Sequence, residues 1–277
     1  MKKKIRIFII VTLAAIGALA LFMYIWQKEE EHNKKIKVSG NIEATDIRLS
    51  FRVSGKIKEL LTDEGRVLKT GDIVARLETD ELTKIKDEAE ASLKAAEYQL
   101  ELDKVDYERA ENLFKEGSIS AQKRDLAKTK ADADKANVEA LKAALDLALT
   151  RLGFADLVSP IDGFVLVKSA EAGEVVQVGS TVFTVADLRD IWLTAYINET
   201  DLGRVKLNQA AEIRTDTYPG KVYKGRISFI SQESEFTPKQ IQTTEERVKL
   251  VYRIKIQVDN TNLELKPGMP ADGYIIE

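Results

Sequence analysis

The chain has no cysteine and a single histidine, His32. The first absence removes disulfides, thiolate metal sites, cysteine nucleophiles and an acylated-cysteine lipoprotein anchor together. His32 stands in a polar linker, where a solvated residue is the ordinary reading. There is also no glycine-rich loop of the kind that cradles phosphate. Carboxylates are plentiful, but they lie on helix faces, where solvated charge explains them. Little is left from which to build an enzyme, a metal site or a cofactor site, and none of these is expected. An excess of positive charge is missing too. The 277 residues carry 42 Lys and Arg against 45 Asp and Glu, a net charge of −3. The stretch 80–151 holds 13 basic against 17 acidic residues, so no basic stripe marks a nucleic-acid surface.

One long apolar run is present. Lys2, Lys3, Lys4 and Arg6 precede Ile7–Trp26. Twenty residues at a rise of about 1.5 Å span about 30 Å, the thickness of a bilayer core. The basic flank stays in the cytoplasm, so the chain beyond Trp26 is placed outside it, with Tyr24 and Trp26 at the interface. Ala18-Leu19-Ala20 also resembles a signal-peptide cleavage site. The anchor reading is preferred, because the run continues past that site. Either way the remainder is exported, and 28–35 is a charged linker.

The pattern that organises the rest is a repeat. Gly55, Gly65 and Gly71 have the same intervals as Gly163, Gly173 and Gly179, at an offset of 108 residues. Val53 and Ile161, Ile57 and Val165, Val67 and Val175, Val74 and Val182, and Leu77 and Val185 keep that offset. Glycine recurs where the backbone needs positive φ or a tight turn. A shared spacing of glycines and strand residues therefore means two copies of one short β unit. The first copy reads as strands Ile47–Phe51, Gly55–Leu61 and Ile73–Leu77, with a turn at Asp63-Glu64-Gly65. Neither copy alone has enough core to fold.

The stretch between the copies reads as two long helices. Asp80–Lys115 lacks Gly and Pro and is dominated by helix formers. Apolar or small residues recur at steps of three and four at Ile85, Ala89, Leu93, Ala96, Leu100, Tyr107, Ala110 and Phe114, with Asp103 interrupting the series. Ala131, Val138, Leu141, Leu145, Ala148 and Leu152 continue the pattern after Gly117. This spacing predicts a coiled-coil seam. Gly117 and Ser118 mark the reversal, and Ser118 or Ser120 can cap the second helix. Two antiparallel arms result, the first about 54 Å long.

Beyond the second copy, alternating runs such as Ile191–Ile197 and Val251–Val258 read as half-buried strands. Turns at Asp201-Leu202-Gly203, Tyr218-Pro219-Gly220 and Lys266-Pro267-Gly268 separate them. A small β-barrel is expected, joined by the early strand Ile36–Glu43. Asn208 falls in a turn, and Asn tolerates the left-handed region. Ser231–Glu246, polar and containing Pro238, reads as an extended loop.

The glycine-anchored half-motifs resemble biotinyl/lipoyl carrier domains. In such a domain a lysine at the hairpin between the halves carries the cofactor. Here the matching stretch is Glu78-Thr79-Asp80-Glu81-Leu82, with Glu81 in the lysine's place, which counts against modification. A lipoyl-like module split by a helical hairpin and preceded by an anchor resembles the periplasmic adaptor (membrane fusion protein, HlyD-like) family, over essentially the whole chain after the linker. The resemblance implies an elongated, mixed α and β fold. Its parts would be an N-terminal transmembrane helix (1–27), a discontinuous β-barrel domain (36–46 and 188–277), a lipoyl-like domain (47–79 and 152–187) and an α-helical hairpin (80–151). Members with a further membrane-proximal domain continue well beyond the position of Pro270, so a complete one is not expected here.

The same resemblance reaches the hairpin tip. Arg109, Leu113 and Ser120 match the Arg-x3-Leu-x6-Ser pattern of adaptors that dock on TolC-like outer-membrane channels. A plainer alternative gives Leu113 to the seam, makes Ser120 an N-cap and leaves Arg109 a solvated charge. The function implied is a link between an inner-membrane transporter, preferably of ABC type, and a TolC-like channel. The protein would sit in the inner membrane with its bulk in the periplasm and self-associate into a ring, a hexamer by family resemblance. The competing readings are a biotinyl/lipoyl-type carrier and a stand-alone envelope scaffold.

Overall fold

The computed structural model describes residues 35–236 and 250–276. The apolar run Ile7–Trp26 and most of the segment following Ser231 lie outside them. Among the described residues no helix is long and apolar enough to cross a membrane. The chain divides into two compact units. One is Asp46–Ala186, and the other joins the chain up to Thr45 with the chain from Asp187.

The Asp46–Ala186 unit holds the repeat. Its strands are the end of β1 (Lys35–Ser50), β2 (Gly55–Leu60), β3 (Val67–Leu68), β4 (Ile73–Leu77), β5 (Asp156–Val158), β6 (Gly163–Lys168), β7 (Val175–Val176) and the start of β8 (Thr181–Asn198). The two copies are interleaved. Gly65 N–H donates to the Val165 carbonyl at 2.9 Å, and Gly173 N–H donates to the Ile57 carbonyl at 2.8 Å. Val165 N–H bonds Arg66, and Ile57 N–H bonds Glu174. Strand pairing repeats the exchange: Val67 and Leu68 pair with Phe164 and Gly163, while Val175 and Val176 pair with Lys56 and Gly55. Each contact has its counterpart 108 residues away. Even the irregularity between Ile57 and Glu59 on β2 recurs between Val165 and Val167 on β6.

Each turn thus satisfies its backbone only against the opposite copy, because unpaired buried N–H and C=O groups are costly. Ile57, Val165, Val74, Val182, Leu77 and Val185 form the shared core and are almost wholly buried. Each such side chain contributes roughly 1.5–3 kcal/mol. Val67 and Val175, equivalent in the repeat, are both exposed, at 66% and 69%. Gly65, Gly71, Gly173 and Gly179 have φ between 76° and 91°. Gly55 and Gly163 instead head strands β2 and β6, and a Cβ on Gly55 would press against Leu77 Cδ1 at 3.1 Å.

Helices α1 (Asp80–Lys115) and α2 (Ala121–Gly153) leave and re-enter this unit side by side. Leu77 N–H bonds the Ala155 carbonyl at 2.9 Å, so the 77-residue excursion closes on itself. The less exposed positions of α1 include 82, 86, 89, 93, 96, 100, 103, 107, 110 and 114. On α2 they fall at 124, 127, 131, 134, 138, 141, 145, 148 and 152. Both series step by three and four without a break. Two expectations are corrected by this. Asp103 does not interrupt the seam but sits in it, 2% exposed. At the base Lys86 occupies the seam position and Ile85 points outward. The Lys86 side chain is only 26% exposed, and its ammonium reaches Glu90 at 2.7 Å and Asp87 at 2.9 Å.

In the second unit the strand order is β1, β12 (Pro270–Ile276), β9 (Ala210–Thr215), β10 (Tyr223–Phe236), β11 (Leu250–Asp259), β8, and β1 also pairs with β8. That last pairing closes a barrel and leaves no free edge. A Cβ on Gly40 would collide with the Thr194 carbonyl oxygen, so the close approach of β1 to β8 requires glycine. Ile42, Leu193, Ile213, Ile227, Ile254, Ile256, Leu265 and Ile275 fill the interior. Buried Asn260 donates to the carbonyls of Leu188 and Leu265 and accepts from Leu265 N–H. One short helix, α3 (Glu199–Leu202), stands where a turn was expected. Asn208 has φ of 64°. Ser231–Phe236 is strand, not loop, because after an irregular stretch Ser234–Phe236 pair with Leu250–Tyr252.

The interleaving makes a matched prediction. Gly65→Val and Gly173→Val meet no neighbouring atoms but must hold a branched residue at positive φ. Each is expected to cost about 1–3 kcal/mol, and the two losses should be equal. Denaturant titration of the two variants measures this, and clearly unequal losses would break the equivalence of the copies.

Candidate functional site

The far end of the hairpin is built by local rules. After Lys115, the Glu116 C-cap leads into Gly117 with φ of 75°. Ser118 N–H then bonds the Leu113 carbonyl at 2.8 Å, and Gly117 N–H bonds the Phe114 carbonyl at 2.9 Å. These two bonds form a Schellman motif, which needs a left-handed residue at Gly117. Ser120 is the N-cap of α2, and its Oγ accepts a long bond of 3.4 Å from Lys123 N–H. The Arg124 guanidinium lies 4.5 Å from the Phe114 ring centre and clamps the arms just below the turn.

The three tip residues of the sequence pattern sit near this turn but differ in their engagement. Arg109 is 69% exposed and pairs with Asp106 at 3.0 Å on its own helix. An exposed pair of this kind contributes little to stability, so the guanidinium is available to a partner. Leu113 is 43% exposed and lies outside the seam. Ser120 does act as a cap, so its hydroxyl already has a local role. Glu81, in the position a carrier lysine would take, lies in the first turn of α1, where an acid suits the helix dipole. Among the described residues no group of His, Asp or Glu side chains is arranged to hold a metal ion.

A second polar feature lies partway down the hairpin, and sequence patterning alone passed over it. Asp103 Oδ1 accepts from Lys130 Nζ at 2.8 Å, and Oδ2 accepts from Gln99 at 3.2 Å. Asp134 faces Asp103 from α2, and its buried Oδ2 has no donor to accept from. The hydrogen bond between the two carboxyls, with help from Lys130, holds Asp103 below the usual carboxylate range. The same bond, with burial, raises Asp134. The two carboxyls titrate as a pair, with Asp103 the more acidic. The sequence signal of the pair was the unbroken spacing of 100, 103 and 107, which a polar residue does not alter.

Comparison with known proteins places these parts. A family model described as CzcB-like, barrel-sandwich hybrid domain matches residues 46–187. A second, described as a YknX-like β-barrel domain, matches residues 191–272. The UPF0194 membrane protein YE2891 of Yersinia enterocolitica is 28% identical, over 95% of this chain and 96% of its own length. Among solved structures, MacA from Actinobacillus actinomycetemcomitans superposes with a TM-score of 0.75 at 24% identity, covering 88% of this chain and 79% of that one. The membrane fusion protein Spr0693 from Streptococcus pneumoniae R6 superposes with a TM-score of 0.69 at 17% identity, over 87% and 98%.

The opposite shifts of Asp103 and Asp134 imply a stability window with two sides. Asp103, lowered, contributes fully above its unfolded value, and that contribution is lost as pH falls through its folded value. Asp134, raised, contributes below its unfolded value, and that contribution is lost as pH rises through its folded value. Asp134→Asn keeps an N–H donor toward Asp103 but cannot ionise. It is expected to retain the acid-side loss and to abolish the loss on the less acidic side. Thermal melts of both proteins across pH, followed by circular dichroism, check this. Identical profiles would rule out a contribution from Asp134.

Proposed function

We propose, on the premise that the chain belongs to the periplasmic adaptor (membrane fusion protein) family, that it links an inner-membrane transporter to an outer-membrane channel in an efflux or secretion system. The transporter favoured is of ABC type, and the channel is TolC-like. The protein is held at the inner membrane by residues 7–26 and stands in the periplasm of a Gram-negative cell. A single two-helix hairpin cannot enclose a duct, so the protein works as a ring, with six copies as the favoured number. Its part in export is mechanical. It holds a conduit together and forms or breaks no bond.

The observation that carries this reading is the tip. A rod of two helices about 50 Å long ends in a turn whose backbone is satisfied locally, while Leu113 and Arg109 project without a seam role. Such a tip has an apolar knob and an exposed guanidinium, held only by a pair with Asp106, to offer another protein. Arg109 would bond backbone carbonyls of the channel, Leu113 would fill an apolar notch, and Ser120 would add a hydroxyl contact. The naming of a full-length relative as a membrane protein supports the anchor.

The absence of cysteine makes the test clean. Ser118→Cys carries a photo-crosslinker to the tip in cells, and capture of an outer-membrane channel, identified by mass spectrometry, is the expected result. Leu113→Asp should abolish that capture and export alike, because a carboxylate would be buried at the contact. Its melting temperature and membrane fractionation should stay at the unsubstituted values. Undiminished capture by Leu113→Asp would sink the docking assignment.

A further inference from the structure

A slot opens at the foot of the hairpin, where α2 rejoins the Asp46–Ala186 unit. Its volume is about 390 Å³, within the range of small-molecule sites, roughly 300–1,000 Å³. One wall is the end of β1 and the two residues after it, 47–52. The other is Gly153, Phe154 and the edge of β5. Neither strand is bridged across the slot. β1 parts from β12 at Asn41, and β5 pairs with β4 alone among the described residues. The two layers therefore gape here, and Leu49, Phe51 and Leu157 of the shared core form the floor.

Two guanidiniums stand at the mouth of this apolar slot. Arg52 lies 3.9 Å from the Phe154 ring centre, at the C-terminal end of α2, where a cation suits the helix dipole. Packing therefore accounts for Arg52. Arg48 is exposed and makes no ion pair among the described residues, and no contact in the fold calls for it. The one carboxylate among the lining residues is Asp156, which Arg76 Nε already pairs at 3.2 Å. The mouth is thus cationic while the interior is hydrocarbon. A cationic ligand would meet two guanidiniums with no carboxylate left to receive it.

We infer that the slot binds an amphipathic carboxylate, with its hydrocarbon body between the two layers and its carboxylate on Arg48, beside Arg52. The body removes apolar surface from water at the open side of the core. The arginine can meet the carboxylate with two parallel hydrogen bonds. The site lies within one unit of one chain, so it stands whether or not the protein forms a ring or docks on a channel.

Equilibrium dialysis of the full-length chain in nanodiscs against radiolabelled octanoate tests it, with empty nanodiscs as the blank. Saturable binding above the blank is expected. Unlabelled octanoate should displace the label, whereas octan-1-ol, which has the tail without the charge, and acetate, which has the charge without the tail, should not. Arg48→Gln is expected to weaken binding about tenfold or more, the size of one hydrogen bond to a charged group. Gly153→Leu is expected to abolish it. A Cβ at Gly153 meets no atom within 4 Å, so the new side chain has room to enter the slot. Both variants should keep the unsubstituted melting temperature. No saturable binding above the blank would overturn the site. Displacement by octan-1-ol as readily as by octanoate would overturn the carboxylate assignment. Undiminished binding by Arg48→Gln or by Gly153→Leu would overturn the slot as its location.

Discussion

Gly65 gives its amide hydrogen to Val165, and Gly173 gives its own to Ile57. Much of the Asp46–Ala186 unit follows from that exchange. Each half of the repeat closes its turn on a strand of the other half. Neither can bury its backbone polar groups alone, and each of the two supplies half of the shared core. The exchange also explains how the module accepts a hairpin of more than seventy residues between its halves. The insertion is itself a closed structure, and its ends are pinned by the bond from Leu77 to Ala155. The loop closed by the two halves is therefore short in effect, and its entropy cost is modest.

The hairpin is held by a different balance. Its seam uses small residues, with Ala96, Ala131 and Ala148 among the most buried, so the arms pack closely but bury modest apolar area. Into this seam the chain places Asp103 and Asp134, and the exposed Lys130 reaches Asp103 from beside it. A buried polar group in a coiled coil costs stability and fixes alignment, because sliding by one heptad would strand a charge without its partner. Register matters here beyond stability. The tip residues come from both arms, Arg109 and Leu113 from α1 and Ser120 from the cap of α2. A slip would part them.

Much of this was legible in the chain. The repeat could be read because positive φ leaves glycine at Gly65, Gly71, Gly173 and Gly179, a local demand that composition records directly. The reversal could be read for the same reason at Gly117, with Ser120 as the cap. What could not be read depended on distant partners. Asp103 looked like a break because hydropathy registers polarity and not the lysine and carboxyl waiting on the other arm. Lys86 was passed over for Ile85 because a lysine stem counts as polar until packing shows where its methylenes lie. Ser231–Phe236 looked like a loop because its strand partners lie beyond the intervening segment. By itself the sequence determined where the backbone must turn and which stretches are helix or strand, since those are local conformational preferences. Only the tertiary structure decided which copy each turn completes and which polar groups meet across the hairpin, since hydrogen bonds across long sequence separations are chosen by three-dimensional proximity.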